Sequence, residues 1–152
     1  MEIHWNKVSH LSAFVNLNNH WIEKYFQLEE MDTVLSKDPA MIIRDGGHIL
    51  SITDANQVIG VCALFKKNND IYELARMAVL ETKQGQGIGK RLLQELIDFS
   101  EEQNAKKLIL VSNTKLTAAI HLYRTFGFQP VFKGQHPEYN RGNIIMEKTL
   151  NV

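Results

Sequence analysis

Residues 73–93 read ELARMAVLETKQGQGIGKRLL, and glycines at alternate positions, Gly85, Gly87 and Gly89, divide the stretch into two unlike halves. Glycine at every second position spoils a strand and a helix alike, so this backbone must serve something that side chains would obstruct. Before the glycines, IYELARMAV (71–79) reads as a strand. After them, Ile88, Leu92, Leu93, Leu96, Ile97 and Phe99 recur at the spacing of a core-facing helix that runs to about Gln103. A helix that opens inside a glycine turn presents N–H groups without intrahelical partners and a partial positive charge, a setting suited to an anion.

Two phosphate-binding patterns fail here. The P-loop pattern has Gln84 at its first glycine and Arg91 at its Ser/Thr position. The dinucleotide fingerprint fails at Lys90 when begun at Gly85 and at Leu92 when begun at Gly87. What remains is Q-x-x-G-x-G, spelled Gln84, Gly85, Gln86, Gly87, Ile88, Gly89. Hydrogen bonds to charged groups are worth roughly 1.5 to 3 kcal/mol each, so several amides aimed at one pyrophosphate can anchor a large ligand. The plain alternative is a glycine-rich turn without a ligand.

Outward from this point, HILSITD, the turn DANQ, VIGVCALFK, the turn KNND and IYELARMAV read as an antiparallel meander of three strands. Upstream, His10 to Phe26 has apolar residues near helical spacing, and Leu28 to Ser36 reads as a shorter helix closed by Asp38-Pro39. Downstream come LILV (108–111) as a strand, a helix from Thr114 to Phe126 stopped by Gly127, and two closing strands, FQPVFKG and NIIMEKTL. The whole predicts one domain over residues 1–152 of α/β class, a mixed sheet of six to seven strands flanked by about four helices.

Seventeen basic residues balance seventeen acidic ones without long runs of either sign, which argues against nucleic acid or a membrane surface as partner. No segment approaches the ~20 apolar residues of a membrane span, and the start MEIHWNKVSH lacks the pattern of a leader peptide. Cys62, the single cysteine, lies in an apolar run and reads as a buried structural thiol, so a reducing, cytoplasmic setting is expected. The histidines show no metal-ligand spacing, and no metal is expected.

The stretch 73–93, together with SNTKLTAAIHLYRTFGF (112–128), resembles the GNAT superfamily of acetyl-CoA-dependent N-acetyltransferases, and EYNRGNIIMEKTL resembles the last strands of its small bacterial members. The resemblance implies the GNAT fold and acetyl-CoA as co-substrate. It implies that the pyrophosphate of coenzyme A lies on the backbone of Gln84, Gly85, Gln86, Gly87, Ile88, Gly89 and Lys90. It implies too that the pantetheine arm pairs with Met77, Ala78 and Val79, where a bulge splays the fourth strand from the fifth. An arm with two amides can complete a strand's unpaired hydrogen bonds as a peptide would. Asn113 either caps the helix that follows it or bonds this arm.

Acetyl transfer to an amine needs the neutral form, only about one part in 2,500 of a lysine-like amine at pH 7. Strand alternation puts Glu73 in one row with Ile71, Ala75, Met77 and Val79, a carboxylate among apolar neighbours. The resemblance gives Glu73 the role of general base through water; the plain alternative is an ion pair with Arg76 or Arg124. Likewise the resemblance makes Tyr123 the general acid for the departing thiolate, against a reading as a core aromatic. In the loop 133–143, His136, Tyr139 and Arg141 are candidate acceptor contacts, Arg141 for an anion, and His48 is a second candidate at the pocket rim. The expected acceptor is a small-molecule primary amine attacked directly, since neither Cys62 nor any serine has a nucleophile's setting. The alternatives are a protein acceptor (lysine or N-terminal) and a non-catalytic acyl-CoA sensor; a homodimer is also expected from the resemblance.

Overall fold

The computed structural model describes residues 1–135 and 141–151. Seven strands form one sheet: β1 (Glu2–Trp5), β2 (His48–Asp54), β3 (Gln57–Lys66), β4 (Ile71–Val79), β5 (Lys107–Ser112), β6 (Gln129–Lys133) and β7 (Ile144–Thr149). Their order is β1-β2-β3-β4-β5-β7-β6. Every neighbouring pair is antiparallel except β4 and β5, which run parallel. The helices are α1 (Leu11–Tyr25), α2 (Glu30–Lys37), α3 (Met41–Arg44), α4 (Ile88–Glu102) and α5 (Thr117–Thr125). The mixed sheet and the meander β2-β3-β4 agree with the sequence expectation, while β1 and the short α3 add to it.

The two faces of the sheet hold separate apolar clusters. Leu11 and Phe14 of α1, Leu35 of α2 and Ile42 of α3 cover Ile49, Val61, Ala63 and Ala78. Ile88, Leu92, Leu93 and Leu96 of α4, with Tyr123 of α5, cover Leu50, Ile52, Leu74, Leu108 and Met146. The first turn of α4 comes close to the sheet because β3 carries Gly60 there. A Cβ on Gly60 would lie 2.8 Å from the Ile88 Cγ2 and 3.2 Å from the Leu92 Cδ1.

β4 carries an irregularity that sequence alternation does not foresee. Val61 stands opposite Ala78 and Ala63 opposite Ala75, so Cys62 alone faces both Arg76 and Met77. Arg76 adopts φ +60, a left-handed conformation uncommon for a bulky side chain. The extra residue reverses the strand's parity. Met77 and Val79 pack on the α4 side with Tyr72 and Leu74, whereas Glu73, opposite Phe65, shares the α1 side with Ala75 and Ala78. The single row of Glu73, Met77 and Val79 read from the sequence is therefore corrected: a bulge between them turns the last two over.

Candidate functional site

β4 and β5 are paired at only three positions, Ile71 with Lys107, Tyr72 with Leu108 and Glu73 with Ile109. Beyond Glu73 the strands part. The rest of β4 stays bonded to β3, which leaves the β5-facing backbone edge of residues 74–79 without strand partners. At the end of this free edge a 3-10 turn (Glu81–Lys83) leads into the glycines. Gly85 has φ +77 and Gly87 φ +83, values that side chains resist, and a Cβ at either would meet no atom of the described residues within 4 Å beyond its chain neighbours. These two glycines shape the turn and leave its outer face clear for close approach.

Gly87 is the N-cap of α4 and no side chain caps the helix among the described residues. The first backbone bond of the helix is from the Arg91 N–H to the Gly87 carbonyl, 3.1 Å, which leaves the amides ahead of it for an external acceptor. Gln84 is held by its amide on the Val79 carbonyl and Gln86 by its amide on the Thr82 carbonyl, both at 3.4 Å. Gly89 faces inward instead: a Cβ there would lie 3.5 Å from the Leu122 side chain. The uncapped amides fit a diphosphate, and the adjoining free strand edge fits an amide-bearing arm. Val79, Leu80 and Gln84 also line a largely apolar cleft of about 400 Å³ against Leu17, His20 and Trp21 of α1.

Glu73 stands where the two strands fork. It is 6% exposed, and its carboxylate lies 3.2 Å from the Lys67 ammonium. Its ion partner is therefore Lys67, and Arg76 pairs elsewhere. Tyr123 reaches the other face of the sheet from α5, its ring edge-on to Phe128 with centroids 6.0 Å apart. Burial, and then the nearby Cys62 thiol, push its phenol well above the ordinary range, so it keeps its proton. No protein group among the described residues bonds its hydroxyl, which keeps some contact with solvent.

The remaining candidates are dispersed. Asn113 donates to the Arg141 carbonyl (2.9 Å) and accepts from the Lys115 N–H (3.0 Å), while the N-cap of α5 is Leu116. His48 packs edge-on against Phe99 and Tyr72 and bonds Asn6. Phe99 lies eleven residues beyond Ile88 in α4, about 16 Å along the axis, so His48 is far from the glycine turn; burial and then Lys66 lower its pKa. His136 and Tyr139 lie outside the described residues. Arg141 does not present a free cation to an anion: both its terminal nitrogens bond Asp32, at 2.6 and 3.0 Å, and one bonds Glu29 at 2.9 Å.

Asp32 escaped the sequence reading. It is buried in α2 and also receives Arg76, 2.5 Å away, and the Glu29 N–H, 2.8 Å away. Burial alone would raise its pKa, but the bonds from Arg141, Glu29 and Arg76 outweigh it and hold the carboxyl at about 2. The spacing Glu29-x-x-Asp32 is a capping box, and an acidic residue three places before the buried Leu35 is the signal that marks it.

The sequence model of the Acetyltransferase (GNAT) family matches residues 12–128. The chain belongs to this family. A Bacillus subtilis (strain 168) protein described as a candidate alanine N-acetyltransferase of ribosomal protein bS18 is 26% identical over 106 residues, 68% of this chain and 70% of that one. The N-alpha-acetyltransferase RimI of Mycobacterium tuberculosis is 43% identical over 60 residues, 40% of this chain and 36% of that one. Among solved structures, a GNAT acetyltransferase from Staphylococcus aureus superposes with a TM-score of 0.86 at 20% identity, covering 99% of each chain. The protein yncA from Salmonella typhimurium, described as a candidate acetyltransferase and solved with acetyl-CoA, gives 0.79 at 19% identity, covering 100% of this chain and 95% of that one. This GNAT protein is an acetyl-CoA-dependent N-acetyltransferase. Among its described residues no cluster of His, Cys, Asp or Glu is arranged for a metal, and no helix is long and apolar enough to cross a membrane.

Proposed function

We propose that the protein acetylates the primary amine of a small molecule by direct attack at the fork between β4 and β5. The observation that carries this reading is the position of Glu73 at the last paired position before the strands part, on the same strand that supplies the free edge beyond it. Acetyl-CoA supplies an activated thioester carbonyl. The backbone of Met77, Ala78 and Val79 receives the pantetheine arm, and the loop from Gln84 through Lys90 receives the pyrophosphate on the amides beyond Gln84, whose own N–H is held by the Glu81 carbonyl, with Asn113 at the arm's far side. Glu73 accepts a proton from the incoming amine through water, a C–N bond forms as the C–S bond breaks, and Tyr123 gives its proton to the departing sulfur. Cys62 is sealed in the core with its thiol pushed far up, which favours direct attack over a covalent enzyme intermediate.

The small-acceptor reading is supported by the Asp32 cluster, which ties α2 and Arg141, just ahead of β7, to Arg76 of β4 beside the fork. Arg141, its charge already matched, serves there as wall. A second reading, a protein N-terminus as acceptor, is favoured by the names of the two bacterial relatives. Release of coenzyme A thiol, measured across a panel of small amines and of peptides with free N-termini, separates them. Turnover on small amines alone supports the first reading and turnover on peptides alone the second. Coenzyme A binding without thiol release on any member would sink both.

A further inference from the structure

We infer that Asp32 and Arg76 form a positioning pair that holds the β4 bulge open and thereby sets the width of the donor slot. Arg76 is the residue at which β4 changes parity, and it does so in a left-handed conformation that a long, Cβ-bearing side chain does not adopt unaided. Its guanidinium is not spent on solvent or on Glu73. It reaches across to α2, where Nη1 meets the Asp32 Oδ1 at 2.5 Å, and the Asp32 side chain is 1% exposed. The carboxylate is itself fixed by Arg141 and by the Glu29 N–H, so it offers a rigid anchor.

The consequence falls on the residues that follow. Met77 and Val79 face the α4 side only because the extra residue precedes them, and their outward amides with the Met77 carbonyl are the edge available to an extended arm, the Val79 carbonyl being held by Gln84. With the anchor removed, a non-glycine residue at position 76 drifts towards ordinary strand geometry and the free edge closes or turns away. Asp32 and Arg76 therefore act on donor binding through the backbone, without touching the donor. The inference rests on acetyl-CoA lying along this edge.

Three variants test it by calorimetric titration with coenzyme A, with amide hydrogen exchange of 77–79 in the free protein as a second readout. Arg76→Ala keeps a Cβ and loses the anchor; Kd for coenzyme A rises roughly tenfold and exchange at 77–79 accelerates. Arg76→Gly loses the anchor as well, yet glycine accepts φ +60 freely, so affinity returns to within about threefold of wild type. Asp32→Asn weakens binding in the native background and has little further effect combined with Arg76→Gly. A purely structural role would impair the alanine and glycine variants alike, and that result, or an unchanged Kd for Arg76→Ala, overturns the inference. Failure of the wild-type protein to bind coenzyme A would overturn the donor assignment together with it.

Discussion

At the scale of single residues, Glu73 and Tyr123 lie on opposite faces of the sheet, so the proposed base and the proposed acid are kept apart. Glu73→Gln keeps the shape and removes the basicity, so turnover falls by at least about 10²-fold while the Kd for coenzyme A is nearly unchanged. Steady-state kinetics beside calorimetry check this; an unaltered rate would refute the role. Tyr123→Phe removes only a hydroxyl that has no partner among the described residues, so stability stays close to native while turnover falls by about 10²-fold. Asp32 carries a different consequence. Its carboxyl is held at about 2 against an ordinary 3.8, so the unfolded chain binds the proton more readily than the folded one. Stability from this group is complete above about pH 4 and is lost as pH falls through 2, on the order of 2 kcal/mol in all. Urea midpoints followed from pH 5 to pH 2 show this loss in the wild type, and Asp32→Asn lacks that part of it.

At the scale of elements, the glycine turn depends on β3, which packs behind the first turn of α4. Gly60 lets the first turn of α4 seat against β3, so Gly60→Val pushes Ile88 outward and carries the glycine turn with it. The expected cost is about 1–3 kcal/mol of stability together with weaker coenzyme A binding, read by thermal unfolding with and without the ligand. The elements themselves were mostly legible: α4 announces itself by six apolar residues in phase, and β2 to β4 by alternation and turn residues. What stayed hidden was relational. Periodicity assumes one residue per step, so alternation put Met77 and Val79 on the wrong face even though the family resemblance implied a bulge at this end of β4. Asp32 looked like one more acidic residue in LEEMDTVLS because its partners lie 44 and 109 positions away. β1 is only four residues long, too short for alternation to stand out. The glycine turn was readable because its pattern is local, whereas the environments of His48 and Arg141 are set by distant parts of the chain.

At the scale of the whole molecule, the two antiparallel halves of the sheet, β1 to β4 and β5 to β7, are joined through a strip of three paired positions. β5 and β7 share six paired positions and β2 and β3 seven, so the strip is the sheet's weakest seam. Local opening is cheapest where few backbone bonds bridge. Amides of β6 and β7 are therefore expected to exchange faster than those of β2 and β3 in the free protein, with coenzyme A narrowing the difference because it would bridge both halves. Hydrogen exchange followed by mass spectrometry checks this, and equal protection without ligand would contradict it.

The sealed position of Cys62 has a practical consequence. Each turnover liberates a free thiol in the product, and a protein with a reactive surface cysteine would be open to capping by that product under oxidising conditions. This chain has one cysteine, fully buried and held as the unreactive thiol. The folded enzyme is thereby immune to mixed-disulfide inactivation by its own leaving group, and a colorimetric thiol reagent added to the native protein reads product alone.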